Sequence, residues 1–226
     1  SWQASEGKPV PDKCEPNEWD PENIKMFDYL RAISAVDEGV GKIYETLKET
    51  DRLNNTVIVF TSDNGYLLGE HHSHIDKRVM WEESIKIPMV IRYPECIKAG
   101  TSIDEMVLNI DLAPTFLEMA GAGIPETMQG HSFEKVLTGE EDNWRKSFFY
   151  EYFKEDYAPG IPSITGVRTE KYKLIKYPEL PDEQGQLYDL EKDPHELTNL
   201  IFHPLYQDIK ANLQIELNRL KRKYEY

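Results

Sequence analysis

Thr56-Val57-Ile58-Val59-Phe60-Thr61-Ser62-Asp63-Asn64-Gly65 is the stretch that decides the fold. Its apolar run, residues 57–60, is short and mostly β-branched, which predicts a strand buried on both faces, as in a parallel sheet under helices. In open α/β sheets, ligands bind just beyond the carboxyl ends of such strands. The polar residues that follow the run are therefore the first candidates for a functional site.

Asp63 and Asn64 offer two hard oxygen ligands side by side at that end of the strand. Such ligands suit Ca²⁺ or Mg²⁺ rather than a soft metal. Gly65 allows a sharp turn directly after them, and Lys77 returns a compact positive charge suited to an anionic group on the metal. An alternative stays open, because Asn64-Gly65 is also a common hairpin turn that Asp63 would merely favour.

The elements around this stretch follow the order expected of an α/β sheet. Asp20-Pro21 predicts a helix start, and apolar residues then recur at three- and four-residue steps as far as Leu47. A second strand is predicted over residues 89–93 and a short helix over residues 114–119. From about Ser147 the pattern changes to short strands separated by turn signals, over residues 148–153, 164–168, 172–177 and 187–190. A final helix is predicted from the apolar spacing of residues 205–220.

This order predicts an α/β fold in two parts. Residues 1–146 would form a portion of the main α/β sheet. Residues 147–226 would form a small antiparallel sheet with one helix on a face, an α+β subdomain.

An ordered series of motifs resembles the second half of the type I, formylglycine-dependent sulfatases. The resemblance covers most of the chain from about Tyr29 onward and keeps its order throughout. Residues 75–78 and 109–115 are most similar to the N-acetylglucosamine-6-sulfatase branch. The matching blocks are Ser62–Gly65, Gly69–His71, Asp76–Arg78, Trp81–Ser84, Pro88–Pro94, Asn109–Thr115, Arg168-Thr169, Lys171–Ile175, Leu187–Leu190 and Asp193–Leu197.

The resemblance implies an alkaline-phosphatase-like sheet and a hydrolase of sulfuric esters acting on a sulfated carbohydrate of the glucosamine 6-sulfate type. It implies that Asp63 and Asn64 bind the single Ca²⁺ of the family. It also implies that Lys77 contacts the sulfate as a catalytic residue. In that family the nucleophile is a formylglycine, made from the first residue of a Cys/Ser-x-Pro/Ala-x-Arg motif, which attacks sulfur while the metal and basic residues stabilise charge.

The chain departs from the family pattern at the nucleophile. The segment from Cys14 to Glu18 keeps the Cys and the Pro but has Glu18 where the motif needs arginine. The other metal-binding aspartates of the family and its earlier basic sulfate contacts have no counterpart here either. We therefore expect the C-terminal part of a sulfatase, inactive alone, with the formylglycine in a missing N-terminal part that is its partner.

Composition favours a globular protein with enough apolar residues for a core, since 39% of the 226 residues are hydrophobic. A formal net charge of −15 argues against nucleic acid or an anionic membrane as a partner. A sulfate pocket would be a local basic site on a protein whose net negative charge repels sulfate. Cys14 and Cys96 do not make a disulfide framework.

His71, His72 and His74 crowd the loop between the predicted metal pair and Lys77. Zinc is a weak alternative for them, because their spacing fits no common zinc pattern and no cysteine is near. The other interpretations are a solvated loop and contacts with the sugar or its sulfate. His74 and His71 are the candidate substrate-binding residues, with His74 the better placed.

The paired carboxylates Glu82 and Glu83 follow on a predicted helical turn. A structural ion pair with Lys77 or Arg78 is a plainer role for them than acid–base catalysis.

Two other classes of function remain open. One is a phosphatase, phosphonate hydrolase or phosphodiesterase of the same superfamily, although those enzymes generally have Asp-His where this chain has Asp63-Asn64. The other is a non-catalytic module that binds sulfated sugar. Upstream sequence with or without the Cys/Ser motif would distinguish an enzyme from a module.

Overall fold

The computed structural model describes residues 21–72, 77–141, 143–181 and 184–224. The helices in chain order are α1 (Pro21–Glu49), α2 (Glu82–Ile85), α3 (Leu112–Met119), α4 (Glu134–Thr138) and α5 (Gln207–Tyr224). The strands are β1 (Ile58–Thr61), β2 (Met89–Arg92), β3 (Ser147–Tyr152), β4 (Ile164–Thr169), β5 (Tyr172–Lys176) and β6 (Gln186–Asp189). β1 pairs with β2, and β3 to β6 form a second sheet in sequence order. Within these ranges, every helix is too short or too polar to span a bilayer.

The strand predicted over residues 57–60 forms, but its setting differs from the prediction. β1 pairs with β2 in antiparallel fashion, with Ile58 opposite Arg92 and Thr61 opposite Met89. Phe60 is 41% exposed and Val90 is 64% exposed. Within the described residues, β1 is therefore an antiparallel and partly exposed strand, whereas the prediction was a parallel strand buried on both faces. Burial depends on which elements cover a strand, and the strand's own composition does not determine that.

Helix α1 confirms the helix predicted before β1, but its apolar stripe faces solvent. An amphipathic helix normally turns such a stripe toward a core. Within the described ranges, this stripe stays exposed. The predicted N-cap Asp20 lies outside the described residues. The exposed apolar side chains are Phe27, Leu30, Ile33, Val36, Val40 and Ile43.

The sheet β3–β6 confirms the predicted antiparallel C-terminal part and separates two apolar clusters. Successive side chains on a strand point to opposite faces. Leu174 on β5 accordingly packs toward α5, with Val167, Leu187, Leu213, Leu217 and Leu220. Its neighbour Ile175 packs on the other face, with Ile164, Tyr188, Leu67, Met80 and Trp81. The second cluster therefore joins this sheet to the segment that follows the Asp63 loop.

The final helix begins slightly later than its apolar spacing suggested. Leu205 belongs to the short 3₁₀ turn Pro204–Tyr206 that precedes α5, and it is 82% exposed. The buried stripe of α5 consists of Leu213, Leu217 and Leu220. Leu205 fits the sequence spacing of the buried leucines but is itself exposed, because the 3₁₀ turn around it has a different helical pitch.

Candidate active site

Asp63 and Asn64 stand directly after β1, as predicted. Asp63 is exposed, and its Oδ1 accepts a 2.7 Å hydrogen bond from the backbone N–H of Asn64. The half-buried Asn64 donates its Nδ2 to the carbonyl oxygen of Gly65 at 2.7 Å, so its Oδ1 is the amide atom whose lone pairs suit a cation. This pair of carboxylate and amide oxygens fits a hard ion such as Ca²⁺, although Ca²⁺ takes about six to eight oxygens.

Gly65 docks this pair on helix α2. Its N–H donates to the carbonyl oxygen of Ser84 at 2.8 Å. A Cβ at this position would lie 2.0 Å from the carbonyl oxygen of Glu83. The positive-φ glycines of the described chain are at other positions. Glycine is therefore needed here for close backbone approach, rather than for the turn that the sequence suggested.

The hairpin alternative for Asn64-Gly65 is wrong. A two-residue hairpin turn would join two strands that pair directly. The partner of β1 begins only at Met89, beyond the Lys77 loop and α2.

Lys77 is half-buried and lies on the segment that leads into α2. Arg78, next to it, has a φ of 70°. Its Nε donates to Oε2 of Glu155 at 3.0 Å, and one terminal nitrogen donates to the hydroxyl of Tyr157 at 3.2 Å. The following residues, 79–81, are buried. Lys77 thus precedes α2 in the chain, whereas the Asp63–Gly65 loop contacts α2 through Gly65.

The histidine loop is only partly described. His74 lies outside the described residues. The side chain of His71 is 8% exposed, and its Nε2 lies 3.1 Å from Oε2 of Glu83. The His71 ring stacks on Trp81 with centroids 4.2 Å apart. His71 is therefore buried rather than part of a solvated loop. Its contact with substrate stays a prediction.

The main partners of Glu82 and Glu83 differ from those predicted. Glu82 pairs with Lys173 at 2.7 Å and with Arg168 at 3.2 Å, whereas Glu83 faces His71. Burial raises the pKa of Glu82, but the two cations outweigh burial and hold its pKa below the ordinary value. The prediction of pairing with Lys77 or Arg78 is therefore wrong, because β4 and β5 bring closer cations from far along the chain.

A histidine–carboxylate cluster lies beside this ion pair. Ligand atoms of His71, Glu83 and Glu196 all lie within 4.8 Å of one another. Lys173 already supplies positive charge, since its Nζ lies 2.7 Å from Oε1 of Glu196. Glu196 therefore already has a cationic partner, and the geometry of the cluster needs no metal.

The block at residues 109–115 serves packing. Asp111 is fully buried and accepts hydrogen bonds from the backbone N–H groups of Leu108 and His131. Both terminal nitrogens of Arg145 also donate to its two carboxylate oxygens. Thr115 donates to the carbonyl oxygen of Asp111 and accepts from the N–H of Phe133 at 3.0 Å. These contacts fasten the start of α3 to the segments before α4 and β3.

The fold of this chain is similar to that of solved enzymes with the alkaline-phosphatase-like fold. One was solved with its substrate D-glucosamine-2-N,6-O-disulfate. It is 37% identical, with a TM-score of 0.82, and the match covers 87% of this chain and 40% of that one. The phosphonate monoester hydrolase of Agrobacterium radiobacter is 28% identical with a TM-score of 0.76, over 85% of this chain and 40% of that one.

Two family models match the chain. The model described as "Sulfatase" matches residues 8–122, and the model described as "N-sulphoglucosamine sulphohydrolase, C-terminal" matches residues 69–223. The chain therefore belongs to the sulfatase family, as its motifs predicted.

Curated relatives support the same assignment. The N-acetylglucosamine-6-O-sulfatase of Bacteroides thetaiotaomicron is 38% identical over 203 residues, which are 88% of this chain and 36% of the relative. The human N-acetylglucosamine-6-sulfatase is 33% identical over 199 residues, which are 75% of this chain and 36% of the relative. The chain thus spans a little over a third of the length of the relatives that it matches.

Proposed function

We propose that this chain is part of a sulfuric ester hydrolase that removes a sulfate from sulfated sugars. The observation that carries the proposal is the Asp63–Asn64 pair at the end of β1, held by Gly65 against α2 in a chain of the sulfatase family. The pair offers the hard oxygens that a calcium site needs. Lys77, on the segment entering α2, supplies the charge for the anion.

Each of these residues has a defined role in the proposal. Asp63 and Asn64 bind Ca²⁺ through side-chain oxygens, and the bound ion would stabilise negative charge on the sulfate oxygens. Lys77 orients the sulfate and stabilises the charge that develops as the ester bond breaks. His74 contacts the sugar, with His71 a secondary candidate. The nucleophile, a formylglycine by resemblance to the family, would come from a part of the protein outside this chain.

The proposed substrate is a 6-O-sulfated glucosamine unit. Two observations support this choice. Relatives at 38% and 33% identity are named N-acetylglucosamine-6-sulfatases, and a structural neighbour was solved with D-glucosamine-2-N,6-O-disulfate as its substrate.

We further propose that an N-terminal part of the same protein packs on this chain. The chain spans 36% of the length of its curated relative from Bacteroides thetaiotaomicron. Its helix α1 exposes an apolar stripe, and Phe60 and Val90 are exposed on the strand pair. Such surface is costly in water, and an adjoining α/β segment would cover it.

Sulfate release by the complete protein tests the substrate proposal. Glucosamine or N-acetylglucosamine carrying a 6-O-sulfate should give the highest kcat/KM in a panel that includes 2-O- and 4-O-sulfated sugars. A preference for a sulfated uronic acid or galactose would refute the glucosamine assignment. It would leave the sulfatase proposal intact.

A phosphonate or phosphate ester hydrolase is the second candidate. The structural match to a phosphonate monoester hydrolase, with a TM-score of 0.76, favours it. Asn64 counts against it, since that class generally has histidine at this position. Release of phosphate or phosphonate with a kcat/KM above that for sulfate esters would establish the second candidate and refute the first.

A further inference from the structure

We propose that Lys173 and Glu196 are positioning residues that hold the Asp63–Gly65 loop by clamping α2 from the C-terminal sheet. The inference rests on the proposed function, which assigns metal binding to that loop. Lys173 belongs to the motif Lys171–Ile175, and Glu196 belongs to the motif Asp193–Leu197. Neither motif has a role in the proposed chemistry.

Lys173 reaches α2 because of its place on β5. It shares a strand face with Ile175, which packs against Met80 and Trp81. Its Nζ donates to the carbonyl oxygen of Met80 at 2.7 Å and lies 2.7 Å from Oε1 of Glu82. The Lys173 side chain is 0% exposed, so these contacts form away from water, where an ammonium group is costly unless paired.

Glu196 is the second residue of the clamp, and it contacts both α2 and Lys173. Its Oε2 accepts a 2.6 Å hydrogen bond from the backbone N–H of Glu82, the first residue of α2. Its Oε1 lies 2.7 Å from Nζ of Lys173. Glu196 has a φ of 53°, and Asp193 stabilises this turn by accepting from the N–H groups of Leu197 and Thr198.

The strand next to β5 shapes the same contact. Gly166 on β4 leaves room for Met80, since a Cβ there would lie 2.2 Å from the Met80 sulfur. Arg168 lies two residues further, on the same face, and pairs with Glu82 at 3.2 Å. On β6, Gln186 accepts a 3.1 Å hydrogen bond from Nε1 of Trp81. The sheet thus holds residues 80–82 by several contacts, of which the one from Lys173 reaches the backbone.

The clamp is connected to the metal-binding loop through the residues of α2 that contact Gly65. The residues that Lys173 and Glu196 hold, Met80 and Glu82, lie directly before Glu83 and Ser84. The carbonyl oxygen of Ser84 accepts the Gly65 N–H, and that of Glu83 sets the close approach. A shift of α2 would therefore move Asp63 and Asn64, as well as the segment that carries Lys77.

Hydrogen exchange measures this connection without relying on catalysis. In the 226-residue chain, Lys173→Met removes the buried charge while keeping a side chain of similar length. We expect the amides of residues 62–66 and 82–86 to exchange at least about tenfold faster, which corresponds to about 1.4 kcal/mol of lost local stability. Lys171→Met is the matched control. Lys171 lies two positions away, is 42% exposed and pairs with Glu191, so its replacement should leave both segments unchanged.

Faster exchange confined to residues 171–200, with residues 62–66 protected as in the parent chain, would overturn the proposal. If Lys173→Met gives no cooperatively folded protein, Glu196→Gln takes its place. It keeps the shape of the side chain and should accelerate exchange in the same two segments, by a smaller factor. Unchanged exchange in Glu196→Gln would likewise overturn the clamp.

The complete protein supplies a second, separate readout. Lys173→Met should raise the Ca²⁺ concentration for half-maximal sulfate release about tenfold. The control Lys171→Met should need the same Ca²⁺ concentration as the parent protein. Equal Ca²⁺ dependence in all three would contradict the positioning role. If the parent releases no sulfate from any substrate, the proposed function fails, while the exchange experiment still decides whether the clamp exists.

Discussion

Gly65 is the residue whose replacement should disturb the candidate site most directly. In Gly65→Ala, the new methyl carbon would lie 2.0 Å from the carbonyl oxygen of Glu83 and 2.9 Å from its carbonyl carbon. These atoms belong to the backbone of a helix, so they cannot rotate aside as a side chain would. The loop must instead withdraw from α2, and its 2.8 Å hydrogen bond to Ser84 must lengthen or break.

The expected loss of stability follows from these two effects. Overpacking a well-filled site costs about 1–3 kcal/mol, and the lost hydrogen bond adds about 0.5–1.5 kcal/mol. We expect Gly65→Ala to lower the free energy of unfolding by about 2–4 kcal/mol. A protein of this kind has only about 5–15 kcal/mol in total, so the effect should be large.

Urea denaturation of the parent chain and two variants measures this effect. The control is Gly123→Ala, because no atom of the described residues lies within 4 Å of a Cβ built at Gly123 and its φ is not positive. We expect the control to lie within about 1 kcal/mol of the parent, or to be slightly more stable because alanine restricts the unfolded chain. Equal stability of Gly65→Ala and Gly123→Ala would refute the close docking of the loop on α2.

Three further predictions concern catalysis, packing and pH. In the complete protein, Lys77→Ala should lower kcat/KM for the sulfate ester by about 10² with unchanged unfolding, and an unchanged kcat/KM would remove Lys77 from the site. Arg145→Met should destabilise the chain by about 3–5 kcal/mol in urea denaturation, because it leaves the buried Asp111 carboxylate without its cation; a loss below about 1 kcal/mol would contradict this. Hydrogen bonding from Arg219 lowers the pKa of Glu216 from 4.5 to about 2, so its contribution is present above pH 4.5 and is lost as the pH falls toward 2. Glu216→Gln should accordingly be less stable than the parent at pH 7, by no more than about 1 kcal/mol for this solvent-screened pair. Most of that difference should be lost as the pH falls from 4.5 to about 2, and an undiminished difference at the lower pH would contradict the assignment.

The sequence predicted local elements better than their surroundings. Strands β3 to β6 were predicted closely because their turn signals and apolar residues are local features. The burial of β1 was not predicted correctly, because it depends on neighbouring elements that the run of residues 57–60 does not encode. Helix α1 shows the same limit, because its periodicity predicts an apolar stripe but not what covers it.

Some residues of the candidate site were likewise predicted from the sequence, and others were not. Asp63 and Asn64 were found from their position after a strand. The Lys173–Glu196 clamp was not, because it joins side chains brought together by the fold of a distant sheet. Both residues do lie in motifs that the sequence singled out, and that was the available signal. The partners predicted for Glu82 were wrong for the same reason, since nearness in sequence was the only guide.

We propose that Asp63 and Asn64 bind the calcium ion of a sulfatase. The most direct measurement is sulfate released from N-acetylglucosamine 6-sulfate by the complete protein, in the parent and in Asp63→Ala, over a series of Ca²⁺ concentrations after chelation. We expect a saturable dependence on Ca²⁺ in the parent and, in Asp63→Ala, a requirement for far more Ca²⁺ or no release. Equal release by the two proteins at every Ca²⁺ concentration would contradict it.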